Sequence, residues 1–188
     1  MEIKCCRDEN INCAADLLKN GGVVVIPTDT VYGLAALPSN AEAVAKLYTI
    51  KDRKASKPIA LLASSVDDIE KFGAKMPEKA KKLAADFWPG ALTLVLDCED
   101  GSVEGFRIPS HNLTQKLISL CGGVLRVTSA NVSGSSPATD IPMALESIGL
   151  KADLILDDGV SPIGVASTVV RVFADNSFEV LRKGAIEI

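Results

Sequence analysis

Short runs of β-branched and aliphatic residues alternate along this chain with stretches in which apolar positions recur every three or four residues. Ile11, Ala14, Ala15, Leu17 and Leu18 share one helical face, and Asn20-Gly21-Gly22 supplies a helix stop. Val23–Ile26 reads as a buried strand closed by Pro27. Ser39 and Glu42 have the spacing of a capping box ahead of a helix carrying Val44, Leu47 and Tyr48. Pro58–Ala63 predicts a second strand, and Ser65 with Asp68 predicts a short capped helix ending near Gly73. Pro77 at one end and Trp88-Pro89-Gly90 at the other frame a further helix. Ala91–Leu96, Val124–Val127, Leu154–Leu156, Thr168–Val172 and Glu179–Leu181 are strand-like, and Leu113–Leu120 is helical up to Gly122-Gly123. This alternation predicts an α/β layered domain over residues 1–188, because no Pro/Gly/Ser-rich linker divides the chain.

Composition narrows the class. The 188 residues are 47% hydrophobic, 23% charged and 4% aromatic, which fits a chain able to bury a full core without metal or disulfide. The five cysteines are irregularly spaced with no C-x-x-C, so free, buried thiols are expected. The longest strictly apolar run, Ile59–Ala63, is too short to span a bilayer, and the first residues hold no apolar signal core. A cytoplasmic protein with no membrane partner is expected. The net charge of −4 hides an asymmetry, because residues 46–82 carry ten Lys/Arg against five Asp/Glu. Such a zone is either a solvated face or a surface for RNA or a phosphate-bearing ligand.

Several chemistries drop out. There is no Walker-type phosphate loop, no G-x-G and no G-x-S-x-G elbow. The single His111 is a poor basis for a Ser-His-Asp triad and excludes two-His metal motifs, so no metal ligand set is expected. Four features remain. Thr28, Asp29 and Thr30 follow a buried strand and either orient a small polar ligand or close a turn. Lys51 and Arg53, in an extended stretch, would share one side and suit a polyphosphate; the alternative is a solvated basic loop. Ser129 and Asn131 open a hydroxyl-rich loop at a strand end, where α/β proteins bind ligands, or form an Asx-type turn. Ser167-Thr168 and Leu181-Arg182-Lys183-Gly184 add hydroxyls and one more cation.

Taken in order, these segments resemble the YrdC/TsaC family of threonylcarbamoyl-AMP synthases. The resemblance covers nearly the whole chain. It rests on Gly21-Gly22-Val-Val-Val-Ile-Pro-Thr-Asp-Thr-Val-Tyr-Gly-Leu34, Lys51-Asp-Arg53, Phe87-Trp-Pro-Gly-Ala-Leu-Thr-Leu94, Arg107-Ile-Pro109, Thr128-Ser-Ala-Asn-Val-Ser-Gly134, Ala166-Ser-Thr-Val-Val170 and Leu181-Arg182-Lys-Gly184. Two departures are visible: Lys54 stands where many members have Pro, and Glu104-Gly105-Phe106 precedes Arg107 in place of an apolar stretch.

The resemblance implies a single α/β domain with a twisted mixed sheet, flanking helices and a large concave cavity. The chain looks like the short, single-domain form. The implied activity joins L-threonine, bicarbonate or CO2, and ATP into threonylcarbamoyl-adenylate and pyrophosphate, for tRNA modification, with Mg²⁺ accompanying the nucleotide. The implied ATP side is Lys51, Arg53, Lys57, Ser129, Asn131 and Arg182. The implied threonine side is Thr30, Arg107 and Ser167. A downstream threonylcarbamoyl-transferase complex is the implied partner, with tRNA or double-stranded RNA contact possible through the basic zone. Two other readings stay open: a non-catalytic YrdC-like protein acting on tRNA or in ribosome maturation, and a carbamoyl-adenylate-forming relative of hydrogenase maturation. The latter domains sit in larger chains with zinc-finger cysteines, which this chain lacks.

Overall fold

The short β-branched runs pair into one sheet, and the amphipathic stretches cover it. In the computed structural model, which describes residues 2–148 and 151–188, the order is β1 (Glu2–Cys5), α1 (Asp8–Lys19), β2 (Val24–Ile26), β3 (Gly33–Ala36), α2 (Ala41–Lys51), β4 (Leu61–Ala63), α3 (Val66–Lys71) and α4 (Glu78–Phe87). It continues with β5 (Leu92–Asp97), β6 (Val103–Arg107), α5 (Asn112–Leu120), β7 (Val124–Ser129), α6 (Ile141–Ile148), β8 (Leu154–Asp157), β9 (Thr168–Val172) and β10 (Phe178–Arg182). The ten strands lie in the order β1-β8-β2-β3-β7-β4-β6-β5-β9-β10. Parallel pairs (β1–β8, β2–β8, β4–β6, β5–β9) mix with antiparallel ones, so the expected α/β class and mixed sheet stand.

Alternation along the strands decides what each face meets. In the first half of the sheet, Val24 and Ile26 pack with α1 and α5, while Val25 of the same strand packs with α2 and α6. Leu154 and Leu156 divide from Ile155 in the same way. Both faces of that half are therefore covered. In the second half, Leu92, Leu94, Leu96, Phe106, Val170 and Val172 pack against α3 and α4. Their alternates Thr93, Val95, Gly105, Arg107 and Val169 belong to no hydrophobic cluster and line a cavity instead.

The structure corrects the reading in several places. Helix α2 is capped by Asn40, whose side chain accepts from Ala43 N at 2.9 Å, so Ser39 stands one residue too early to cap it. Strand β4 is shorter than Pro58–Ala63. β1, β3, β6 and α6 carry no counterpart in the pattern analysis. Ser65 caps α3 as expected, accepting from Asp68 N. No helix is long and apolar enough to cross a membrane among the described residues.

Phe106 has no exposed surface and packs edge-on against Phe72, with ring centroids 5.7 Å apart. Phe106→Ala should cost about 3–5 kcal/mol, read as a lower denaturant midpoint at unchanged slope.

Candidate functional site

The uncovered sheet face is the floor of a cavity of about 500 Å³, within the range of small-molecule sites. Gly105 keeps this floor low: a Cβ there would meet Ala60 Cβ at 3.3 Å and Thr93 Cγ2 at 3.5 Å. The walls come from the loop after β2, the segment after α2, the end of β7 and the strand pair β9–β10. Arg53, Arg107 and Arg182 line the cavity, and no Asp or Glu does among the described residues. A site with that balance favours a polyanion.

Thr30 and Arg107 are hydrogen-bonded to one another, and Ser167 lines the same cavity beside Thr93 and Arg182. Arg107 is buried and donates through Nε to Gly90 O at 2.9 Å, through Nη1 to Thr30 Oγ1 at 2.7 Å, and through Nη2 to Asp29 Oδ1. Thr28 Oγ1 donates to Val31 O at 2.6 Å, so Thr30 Oγ1 is the donor in its 3.0 Å bond to Thr28. A directed chain results, from Arg107 through Thr30 and Thr28 to a backbone carbonyl. Burial pulls the Arg107 guanidinium below its ordinary value, and Asp29 pulls the other way. Ser167 shares a 2.8 Å hydroxyl bond with Thr93 on the floor. The strand β6 thus carries Arg107 into the cavity although Glu104-Gly105-Phe106 precedes it.

Arg53, Ser129 and Arg182 line the cavity as well. Arg182 donates to Ser167 O at 2.7 Å, and burial and then Arg53 lower its pKa. Two cations that repel one another across a cavity gain when an anion lies between them. Arg53 steadies its own loop by donating to Lys57 O and Pro58 O, both at 2.9 Å. Gly184, just past Arg182, passes so close to Ser167 that a Cβ would lie 2.4 Å from the Ser167 carbonyl carbon.

Lys51 departs from the expected geometry. It is not in an extended stretch but ends α2, and Asp52 takes the left-handed conformation at φ 49°, which separates the directions of Lys51 and Arg53. Lys51 is 1% exposed and lies behind the cavity wall. Its ammonium donates to the carbonyls of Ser129 and Asn131, with Ser129 Oγ and Asn131 Oδ1 each at 3.4 Å. Asn131 is also buried, and its amide donates to Val132 O and Ser135 O. Of that pair only Ser129 reaches the cavity lining; Lys57 does not, and its residue is exposed.

One cluster arises that no spacing signals. Cys6, His111 and Asp158 present a sulfur, a ring nitrogen and a carboxylate oxygen within 4.8 Å of one another. His111 Nδ1 caps α5 by accepting from Thr114 N at 3.1 Å. Its proton therefore sits on Nε2, which donates to Asp158 Oδ2 at 3.0 Å. A metal would need that Nε2 lone pair, so the hydrogen bonds present favour a latch between chain segments. Burial and then Asp158 push the Cys6 thiol up to about 12, which makes it inert as a nucleophile.

Comparison with known proteins places the chain in a family over most of its length. The Sua5/YciO/YrdC family model, described as "Telomere recombination", matches residues 16–184. The chain is 36% identical to the threonylcarbamoyl-AMP synthase of Bacillus subtilis over 95% of its own length and 54% of that protein's. It is 36% identical to the threonylcarbamoyl-AMP synthase of Pyrococcus abyssi over 85% of its own length and 50% of that protein's. The chain thus spans about half the length of these two curated relatives. The crystal structure of P. abyssi Sua5 complexed with L-threonine superposes with a TM-score of 0.89 at 32% identity, covering 98% of this chain and 57% of that one.

Burial, and then the nearby Arg53 charge, lower Lys51 to about 8. Its folded value lies below its unfolded one. Its charge therefore opposes folding below about pH 8, and that opposition fades as pH rises from about 8 toward the ordinary lysine value. A titration of the Lys51 ¹³Cε resonance should show its midpoint near pH 8, while exposed lysines still titrate near ~10.4.

Proposed function

The chain belongs to the Sua5/YciO/YrdC family, and on that premise we propose that it makes L-threonylcarbamoyl-adenylate and pyrophosphate from L-threonine, bicarbonate or CO2, and ATP. The single observation that carries this reading is a cavity lined, among the described residues, by three arginines, by threonine and serine hydroxyls and by no acid. The product supplies a threonylcarbamoyl-transferase complex that modifies adenosine in tRNA, in the cytoplasm.

The chemistry suits a site without a histidine base. The threonine amine adds to CO2 and loses a proton, giving an N-carboxylate. One oxygen of that carboxylate attacks the α-phosphorus of ATP, and the bond to the bridging oxygen breaks, with pyrophosphate leaving. Such transfers depend on placement and charge stabilisation. Arg53 and Arg182 lie where they can hold the triphosphate, with the Ser129 hydroxyl beside them. Arg107 would hold the amino-acid carboxylate, with Thr30 orienting the guanidinium by accepting from it and Ser167 on the same cavity lining. Lys51 and Asn131 act from behind, by holding the backbone that presents Ser129. Because no carboxylate lines the cavity among the described residues, Mg²⁺ would travel on the nucleotide's phosphates and water. It would offset phosphate charge during transfer. Lys57, exposed on the Arg53 loop, would reach the phosphates only if that loop closed.

The basic zone adds a tRNA contact to this reading. Lys71, Lys75, Lys81 and Lys82 are exposed on and around α3 and α4, away from the cavity lining. A binding constant for structured RNA that falls steeply with salt would support it, and a flat salt dependence would remove it.

Incubation of the folded chain with ATP and Mg²⁺ should release pyrophosphate and form threonylcarbamoyl-adenylate only when L-threonine and bicarbonate are both present. No adduct from the folded protein would overturn the proposal. Arg53→Ala should lower the rate roughly 10–100-fold, the loss of about 1.5–3 kcal/mol from a charged hydrogen bond, with the unfolding midpoint unchanged.

A further inference from the structure

The Arg107–Asp29 ion pair lies inside the protein, its side chains 7% and 5% exposed. We propose that this pair makes the amino-acid end of the cavity selective for a zwitterion, and that Asp29 is the residue that sets the selectivity. The inference rests on the reading of that end as a threonine site.

The reasoning is one of charge balance. A guanidinium has five N–H donors. Three of those on Arg107 are taken by Gly90 O, Thr30 Oγ1 and Asp29 Oδ1, and the other two have no partner among the described residues. Arg107 lines the cavity, so a ligand carboxylate can accept from those two. It would meet a cation whose charge is already matched, because Asp29 stands directly behind. A ligand with only a carboxylate would then leave one net negative charge in a desolvated place, which is costly. An α-amino acid brings an ammonium with its carboxylate and leaves the total unchanged.

Asp29 is fixed in place beside Arg107 by its own contacts. Oδ1 accepts from Arg107 and from Ser110 N at 3.1 Å, which fixes the carboxylate's orientation. Oδ2 is buried and has no hydrogen-bond partner among the described residues. Asp29 is not among the residues that line the cavity, so its charge reaches a ligand there through its pairing with Arg107. The loop around it is held from the other side as well, since Ile163 N donates to Asp29 O at 3.0 Å and Gly164 N to Thr30 O at 2.9 Å. The other charged group that acts on Arg107 is Arg182, which faces the nucleotide end. With phosphates bound to Arg182 and Arg53, the amino-acid end is left with the neutral pair.

The test is calorimetric binding to the unaltered chain and to Asp29→Asn, with a non-hydrolysable ATP analogue present. The ligands are L-threonine, 3-hydroxybutyrate (no amine) and L-threoninamide (no carboxylate). The unaltered chain should bind L-threonine at least roughly tenfold more tightly than either singly charged analogue. Asp29→Asn preserves the shape and one acceptor for Arg107, and should narrow the preference over 3-hydroxybutyrate by roughly tenfold or reverse it. If the unaltered chain does not bind L-threonine, the threonine reading and this inference both fall. If it binds L-threonine and 3-hydroxybutyrate equally, only the selectivity falls. A folded Asp29→Asn that keeps the original ratio takes the role away from Asp29. Where Asp29→Asn does not fold, the ligand series on the unaltered chain decides.

Discussion

A sheet exposes two apolar faces and must cover both or put the bare one to use. Here α1 and α5 cover one face of the β8–β2–β3–β7 half, and α2 and α6 cover the other. The β6–β5–β9 half receives α3 and α4 on one face only. Everything functional depends on that asymmetry. The bare face carries Thr93, Gly105 and Arg107, which alternate along β5 and β6 with the buried Leu92, Leu94 and Phe106. The same strand that anchors the core through Phe106 therefore delivers a cation one residue later. Rigidity and chemistry come from adjacent positions, which is how a site obtains well-held side chains.

The polar groups of the cavity are organised in two tiers. Arg53, Arg107, Ser129 and Arg182 meet the open space, with Lys51 and Asn131 behind Ser129 and Asp29 paired with Arg107. The rear tier neutralises or pins what the front tier presents. A buried ammonium in a cage of carbonyls holds the start of the loop after β7, and a buried carboxylate holds an arginine. Such arrangements cost desolvation and gain a fixed geometry before any ligand arrives.

How much of this was legible in the sequence differs by element. Thr168–Val172, rich in β-branched residues, is visible as a strand with the bounds that the structure gives. β3 reads Gly-Leu-Ala-Ala, which lacks strand propensity and forms because β2 and β7 flank it. β6 has glycine in its middle, and α6 carries Pro142 in its first turn, so neither shows a plain period. Thr30, Arg107, Ser129, Ser167 and Arg182 could be singled out because each sits in an ordered set of short motifs. The burial of Lys51 behind Ser129 while Arg53 lines the cavity could not, since it depends on a left-handed Asp52 and on tertiary contacts. The Cys6–His111–Asp158 latch was invisible because its members come from three distant segments that meet only in the folded sheet.

The Arg182 side of the cavity is bounded by β10, which pairs with β9 alone among the described residues and whose five residues are all exposed. Its register shifts between Val180 and Arg182, which interrupts the ladder beside the arginine. An edge strand of this kind is held by a ladder on one side only, with Arg182 adding its own bond to Ser167 O. Any polyanion gripping Arg182 must then hold the strand in place as well as the charge. Binding at this site would therefore stabilise the last strand of the sheet together with the charge it carries.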